Sequence, residues 1–206
     1  MPICAYLFFA TGVNHFVPLP VITEHVAELP DGESSLGTRP KLKGKITVIG
    51  FPGAELFKDR GNAFNLNQKI YNRYKDFDDF QVVLVVPKGT ENEAELVRQE
   101  LSPISDLFNW NYLFVDTDEI ASLYNSLGLV GKLDAQFATP NVYIIDKDLN
   151  VRGRKGLNKN GVDEYKEGYN TISAADLHNE MMDDIKVVLA EYRLALKKYN
   201  RIKTVN

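Results

Sequence analysis

Four charged side chains lie within six residues of one another, at Glu55, Lys58, Asp59 and Arg60. A carboxylate held beside a cation can move a proton or bind a charged ligand. No nucleophile or histidine lies nearby in the sequence, and a catalytic constellation would need one. We therefore interpret the four charges first as an ion-pair network on a solvated turn. An enzyme or metal carrier with a site rebuilt around Glu55, Asp59, Arg60 or His178 is the alternative.

Soft metal ligands come together in one other place. His178 shares a predicted helix face with Met181 and Met182, a grouping that copper(I) could use. Methionine is also a routine filler of hydrophobic cores, and this part of the helix carries an apolar stripe, so we favour packing over metal binding. His15 and His25 have no ligand spacing.

Asp146, Asp148 and Asn150 have the spacing that opens a calcium-binding loop. The sixth position of that loop should be glycine and the twelfth glutamate, but here they are Val151 and Leu157. We reject the calcium site and predict a hairpin turn.

The charged turn, residues 54–62, lies between two predicted elements. Residues 45–51 are an apolar, β-branched run bounded by glycine and proline, which is typical of a buried strand. Apolar residues recur at helical spacing over 62–75. A strand, turn and helix in this order place the turn at the C-terminal edge of a sheet, where open α/β folds keep their ligands.

The rest of the chain continues the alternation of strands and helices. Further strands are predicted at 81–86, 111–115 and 142–145. Helices are predicted with Ala94, Val97 and Leu101 on one face before Pro103, and at about 117–127 and 173–199. Ser173 followed by Asp176 is a capping-box pattern for the last helix. Residues 14–44 suggest an extended lead-in with a short hairpin, and 155–171 a surface loop. The pattern predicts an α/β fold with a central mixed sheet of four or five strands, flanking helices and a long C-terminal helix.

Composition limits the class of protein. The 206 residues, 44% hydrophobic, suit one domain, which we place at 36–206 after a lead-in at 1–35. The net charge of -4 argues against a nucleic-acid partner. Cys4 is the single cysteine and is interpreted as an incidental thiol. The apolar run 3–13 is too short to span a bilayer.

Several segments resemble the Sco/SenC family, thioredoxin-fold proteins that assist copper loading of cytochrome c oxidase. The similar segments are GKITV at 44–48, NWNYL at 109–113, VYIIDKDLNVRG at 142–153 and DDIKVVLAEY at 183–192. Residues 12–21 also resemble the stretch that follows the membrane anchor in some bacterial members. The resemblance implies a thioredoxin-like fold and an extracytoplasmic domain that is tethered in the full-length protein by an N-terminal helix.

The family's copper ligands are missing at the matching positions. Its Cys-x-x-x-Cys pair falls near Leu56 and Arg60, and its histidine near Ala138. Copper(I) needs soft ligands and dithiol exchange needs a thiolate, so neither activity carries over. Thr139-Pro140 resembles the Thr–Pro pair of thioredoxin, in which the proline is cis.

These observations predict a redox-inactive Sco/SenC-like protein of the cell envelope. We expect it to act as a binding or assembly factor for other proteins, and maturation of a respiratory oxidase is one process in which it could do so. We expect no catalytic residue, metal or cofactor, no nucleic acid, a protein partner, and membrane contact only through a lost anchor. The candidate binding residues are Glu55, Leu56, Asp59, Arg60, Ala138, Thr139 and Pro140.

Overall fold

The structure, a computed structural model, describes residues 17–158 and 160–204, with side chains as far as residue 193. Cys4, His15 and the apolar run 3–13 therefore lie outside the described residues. The strands are β1 (Val21–Thr23), β2 (Glu33–Ser34), β3 (Ile46–Pro52), β4 (Phe80–Pro87), β5 (Trp110–Val115), β6 (Ala138–Ile145), β7 (Val151–Arg152), β8 (Arg154–Leu157), β9 (Asp163–Lys166) and β10 (Tyr169–Asn170). The helices are α1 (60–74), α2 (Glu91–Leu101), α3 (Thr117–Ser126) and α4 (174–204).

A mixed sheet runs through the centre of the molecule. Its strand order is β1-β7-β6-β3-β4-β5-β2, and β10 is a third partner of β6. Strands β3, β4 and β5 are parallel, whereas β6 is antiparallel to β3. This arrangement confirms the predicted α/β fold and brings the ends of β3 and β4 and the start of β6 to one edge.

The strands alternate their side chains between two cores. In β4, Val82 and Leu84 face one side, against α1, α2 and α4, whereas Val83 and Val85 face the other side, against α3 and part of the lead-in. The same alternation holds in β3, β5 and β6. Both faces of the sheet are therefore buried, as the nearly continuous apolar runs predict.

The sheet is larger than the predicted four or five strands, because short segments of two to four residues also join it. The lead-in does not form a hairpin with itself: β1 and β2 lie at opposite edges of the sheet. Residues 155–171 are not a plain loop, since they contain most of the β8–β9 hairpin and strand β10. These strands are held by backbone pairing and leave little hydrophobic pattern, which is why the sequence did not predict them.

The helices begin and end close to their predicted positions. Ser173 caps α4, and its Oγ accepts a hydrogen bond of 3.1 Å from the backbone N–H of Asp176. Both α1 and α4 contain one five-residue π-helical segment, Asn67–Tyr71 and Leu177–Met181. Among the described residues, none of the helices combines the length and apolar character needed to cross a bilayer.

A buried ionic cluster ties the β6–β7 turn to the lead-in and to α4. Nη1 of Arg152 donates to Asp146 at 3.0 Å, and its Nη2 donates to Glu191 at 2.7 Å. Nε of Arg152 donates to the backbone oxygen of Leu19 at 2.9 Å. Burial opposes the charge of Arg152, but the bonds to Glu191 and Asp146 outweigh it and raise the pKa of the guanidinium.

The turn that opens with Asp146 is a hairpin turn, as predicted. The Asp146 carboxylate accepts from the backbone N–H groups of Asp148 and Asn150, at 2.9 and 3.0 Å, and from the side chain of Asn150. Together with Arg152, these donors satisfy both carboxylate oxygens.

We predict that Arg152→Met lowers the free energy of unfolding by about 3–5 kcal/mol, because it leaves Asp146 buried without its cation. Arg39→Met is the matched control, since Arg39 pairs with Asp31 on the surface and also contacts a backbone oxygen. The control should cost no more than about 1 kcal/mol. Urea unfolding of both variants measures this, and equal losses would contradict the assigned role of the buried cluster.

Candidate functional site

An open cavity of about 490 Å³ lies at the C-terminal end of β3, between the turn 54–62 and the start of β6. We call it the site-turn pocket. Its buried apolar lining includes Leu56, Leu66, Leu84, Tyr112 and Val142. Its polar lining consists of Lys58, Asp59, Asn62, Asp134, Thr139 and Thr171. The pocket can enclose an apolar group and offers hydrogen-bonding groups around it.

The floor of the site-turn pocket is one row of residues across four neighbouring strands. Gly50 of β3 is paired with Val142 of β6 and Leu84 of β4, and Leu84 is paired with Tyr112 of β5. A Cβ atom on Gly50 would lie 2.8 Å from Cδ2 of Leu84 and 3.1 Å from Cγ1 of Val142. The floor is therefore hollow because its central position has no side chain.

The loop before β6 closes one side of the pocket. The Asp134 carboxylate accepts from the backbone N–H groups of Gln136 and Ala138, at 2.8 and 2.9 Å. Gly53, with φ of +73°, lies so close to this loop that a Cβ would come within 2.8 Å of the Gln136 oxygen. Only glycine fits this conformation and approach, so Gly53 fixes the distance between the turn and the loop.

The structure places most of the candidate binding residues around this pocket. Those that line it are Leu56, Asp59, Ala138, Thr139 and Pro140. Leu56 and Ala138, which match the first cysteine and the histidine of the Sco pattern, thus lie on the same cavity. The backbone of Pro140 is already engaged, since its oxygen accepts from N and Oγ1 of Thr171, at 2.9 and 2.7 Å.

Two candidates, Glu55 and Arg60, are not in the lining. Arg60 lies over the ring of Phe57, 4.3 Å from its centroid, and donates to Glu100 of α2 at 3.0 Å. Glu55 accepts from Lys58 at 2.5 Å, and this bond raises the pKa of the lysine. Three of the four turn charges thus form two separate surface ion pairs, and Arg60 does not bring its charge into the pocket.

The Thr139–Pro140 peptide bond is trans, unlike the cis proline of thioredoxin that the Thr–Pro pair resembles.

The residues of the alternative site are not assembled in this cavity. Of Glu55, Asp59, Arg60 and His178, it is Asp59 that lines the pocket. His178 is exposed on α4, whereas Met181 is buried in the core, as its packing role predicts. Within the described ranges there is no group of three or more His, Cys, Asp or Glu side chains suited to hold a metal ion.

Sequence reasoning missed the pocket floor. The floor residues Gly50, Leu84, Tyr112 and Val142 were assigned to strands, but their side-by-side placement depends on strand register. The available signal was Gly50 itself, because an isolated glycine inside an apolar strand often marks a close approach or a ligand.

Comparison with solved structures defines the class as a thioredoxin-like fold. A proposed protein disulfide isomerase from Bacteroides thetaiotaomicron has a TM-score of 0.52 at 12% identity, covering 84% of this chain and 95% of its own. A proposed electron transfer protein from Aquifex aeolicus VF5 has a TM-score of 0.51 at 13% identity, covering 84% and 98%.

The predicted Sco resemblance is confirmed at the level of the fold. BsSco, described as a member of the Sco family of cytochrome c oxidase assembly proteins, has a TM-score of 0.51 at 14% identity. The match covers 82% of this chain and 96% of BsSco. No protein-family model matches the sequence, and no curated protein matches it in a sequence comparison. The chain therefore has a Sco-like thioredoxin fold.

We predict that Gly50→Ala lowers the free energy of unfolding by about 1–3 kcal/mol, because the new methyl group forces Leu84 and Val142 apart. It also reduces the volume of the pocket. Gly61→Ala is the matched control, since a Cβ there meets no atom within 4 Å and Gly61 lies in α1. The control should match the wild type or be up to about 1 kcal/mol more stable. Chemical unfolding compares the two, and a fully stable Gly50→Ala variant would contradict the hollow floor.

Proposed function

We propose that this chain is a Sco-like thioredoxin-fold protein that binds a protein partner at the site-turn pocket without dithiol or copper chemistry. The observation that carries the proposal is the pocket itself. It occupies the end of β3, where the family keeps its copper ligands, and none of the described residues that line it is cysteine, histidine or methionine. Function resides in the site and not in the fold, so a different lining supports a different activity.

The lining argues against the family's chemistry. Copper(I) binding requires converging sulfur or imidazole donors, and Leu56 and Ala138 offer none. Disulfide exchange requires a thiolate close to the substrate, and no described residue supplies one. The side chains that line the cavity are suited to burial and hydrogen bonding instead.

A protein partner fits the composition of this surface. The pocket has a buried apolar interior and a polar rim, which is the usual anatomy of a recognition site. Ile172 lies at its edge with 64% of its surface exposed, an apolar side chain available for contact. A partner segment with an apolar anchor would cover Ile172 and fill the cavity.

We also propose a cellular location and a process for this protein. BsSco is described as a cytochrome c oxidase assembly protein. Together with the resemblance of residues 12–21 to the segment after a membrane anchor, this supports an extracytoplasmic role, tethered to the membrane and close to oxidase maturation.

We predict that a photo-crosslinking amino acid at Gly61 captures a discrete partner in the native host. Gly61 lines the pocket mouth and has free space for a larger side chain. The same amino acid at Gln68, exposed on the same helix and outside the pocket lining, is the matched control. Mass spectrometry should place the crosslink on a segment with an apolar anchor, and adding Gly50→Ala should lower the yield.

Equal labelling from positions 61 and 68 would contradict the proposal. A yield from position 61 that Gly50→Ala does not change would also contradict it, because the partner would then not depend on the pocket.

A further inference from the structure

The proposed function leaves open which chemical group the pocket accepts, and Tyr112 bears on this question. Tyr112 is the last residue of the floor row, it lines the cavity, and it is 1% exposed. Its hydroxyl donates no hydrogen bond to any residue that the structure describes, whereas the hydroxyls of the buried residues Tyr74 and Tyr169 donate to Met182 and Asp184. A hydroxyl on a cavity wall that has no acceptor among the described residues can donate to a ligand or to water in that cavity.

The neighbouring residue on the same face of β5 offers this hydroxyl no acceptor. The indole nitrogen of Trp110 is buried and has no hydrogen-bond partner among the described residues. An indole N–H can only donate, so it cannot accept from the Tyr112 hydroxyl. Burial raises the pKa of Tyr112 to about 12, so the hydroxyl keeps its proton at neutral pH. Since Tyr112 lines the cavity, its hydroxyl can donate a hydrogen bond to a group bound there.

The charges around the pocket restrict the ligand further. Lys58 is the one cation among the described residues of the lining, and it is paired with Glu55 on the surface. Asp59 and Asp134 add two carboxylates. An anionic group at the floor would thus be buried without a cation, which is strongly unfavourable. An uncharged acceptor has no such cost.

We propose that the pocket recognises an apolar group that ends in an uncharged hydrogen-bond acceptor, a carbonyl or amide oxygen, which the Tyr112 hydroxyl binds at the floor. This inference rests on the proposed function, because it specifies the anchor that the partner inserts. The apolar body of the anchor contacts Leu56, Leu84 and Val142. The oxygen of the anchor accepts a hydrogen bond from the Tyr112 hydroxyl, for which the described residues provide no acceptor.

The test uses three small probes and methyl-detected NMR of the full chain. Acetophenone has an apolar body and a carbonyl, α-methylstyrene is the hydrocarbon of the same shape, and benzoate is the anion. We expect acetophenone to bind about three- to tenfold tighter than α-methylstyrene, the range of one hydrogen bond, and benzoate to bind more weakly than both. The methyl signals of Leu56, Leu84 and Val142 should shift.

Two variants test whether the preference for the ketone over the hydrocarbon comes from the Tyr112 hydroxyl. Tyr112→Phe should bring the affinity ratio of ketone to hydrocarbon to about one while the hydrocarbon binds as before. Tyr74→Phe is the matched control, since it removes a buried hydroxyl elsewhere, the donor to the Met182 oxygen at 2.6 Å, and should keep the wild-type ratio.

The outcomes separate this inference from the proposed function. If ketone and hydrocarbon bind equally to the wild type, or if Tyr112→Phe keeps the preference, the acceptor-binding role of Tyr112 is wrong and the pocket remains a binding site. Benzoate binding as tightly as the ketone would contradict the requirement for an uncharged group. If no probe shifts the pocket methyl groups, the inference fails, and the crosslinking experiment decides separately whether a partner enters the pocket.

Discussion

The missing side chain at Gly50 is the constraint on which the site depends. Four strands place Val142, Gly50, Leu84 and Tyr112 side by side, and the two neighbours of Gly50 come within van der Waals distance of any Cβ at that position. Every other position in this row carries a large side chain. The gap at the centre of the sheet edge is what gives the molecule a pocket there, and the helix α1 and the loop before β6 form its walls.

Polar contacts of the turn with helix α2 hold one wall of the site-turn pocket in position. Arg60 and the backbone N–H of Phe57 bind Glu100 and Glu93 of α2, so the turn is fastened to a neighbouring helix. Leu56 faces the opposite way, into the pocket. The turn thus directs Arg60 away from the pocket and Leu56 into it, while Lys58 and Asp59 lie in the polar part of the lining.

Much of the fold was predictable because its main strands carry strong hydrophobic patterns. The runs in β3, β4, β5 and β6 are buried on both faces and were located within a few residues, as was the cap of α4 at Ser173. The short strands β1, β2, β8, β9 and β10 were not found, since segments of two to four residues are too short to show a periodic signal. The site was predictable in part. The family resemblance indicated that Leu56 and Ala138 belong to one site. The place of Tyr112 in that site depends on strand register, which the sequence alone does not specify.

The central property proposed for this site is binding by shape and hydrogen bonding, without sulfur or metal chemistry. Anaerobic titration of the full chain with copper(I), against a competing chelator, tests this property directly. We expect no tightly held, stoichiometric copper, and the same weak binding for Cys4→Ser and for variants in the turn 54–62. One equivalent of copper held tightly, and lost on Cys4→Ser or on substitution in the turn, would contradict it.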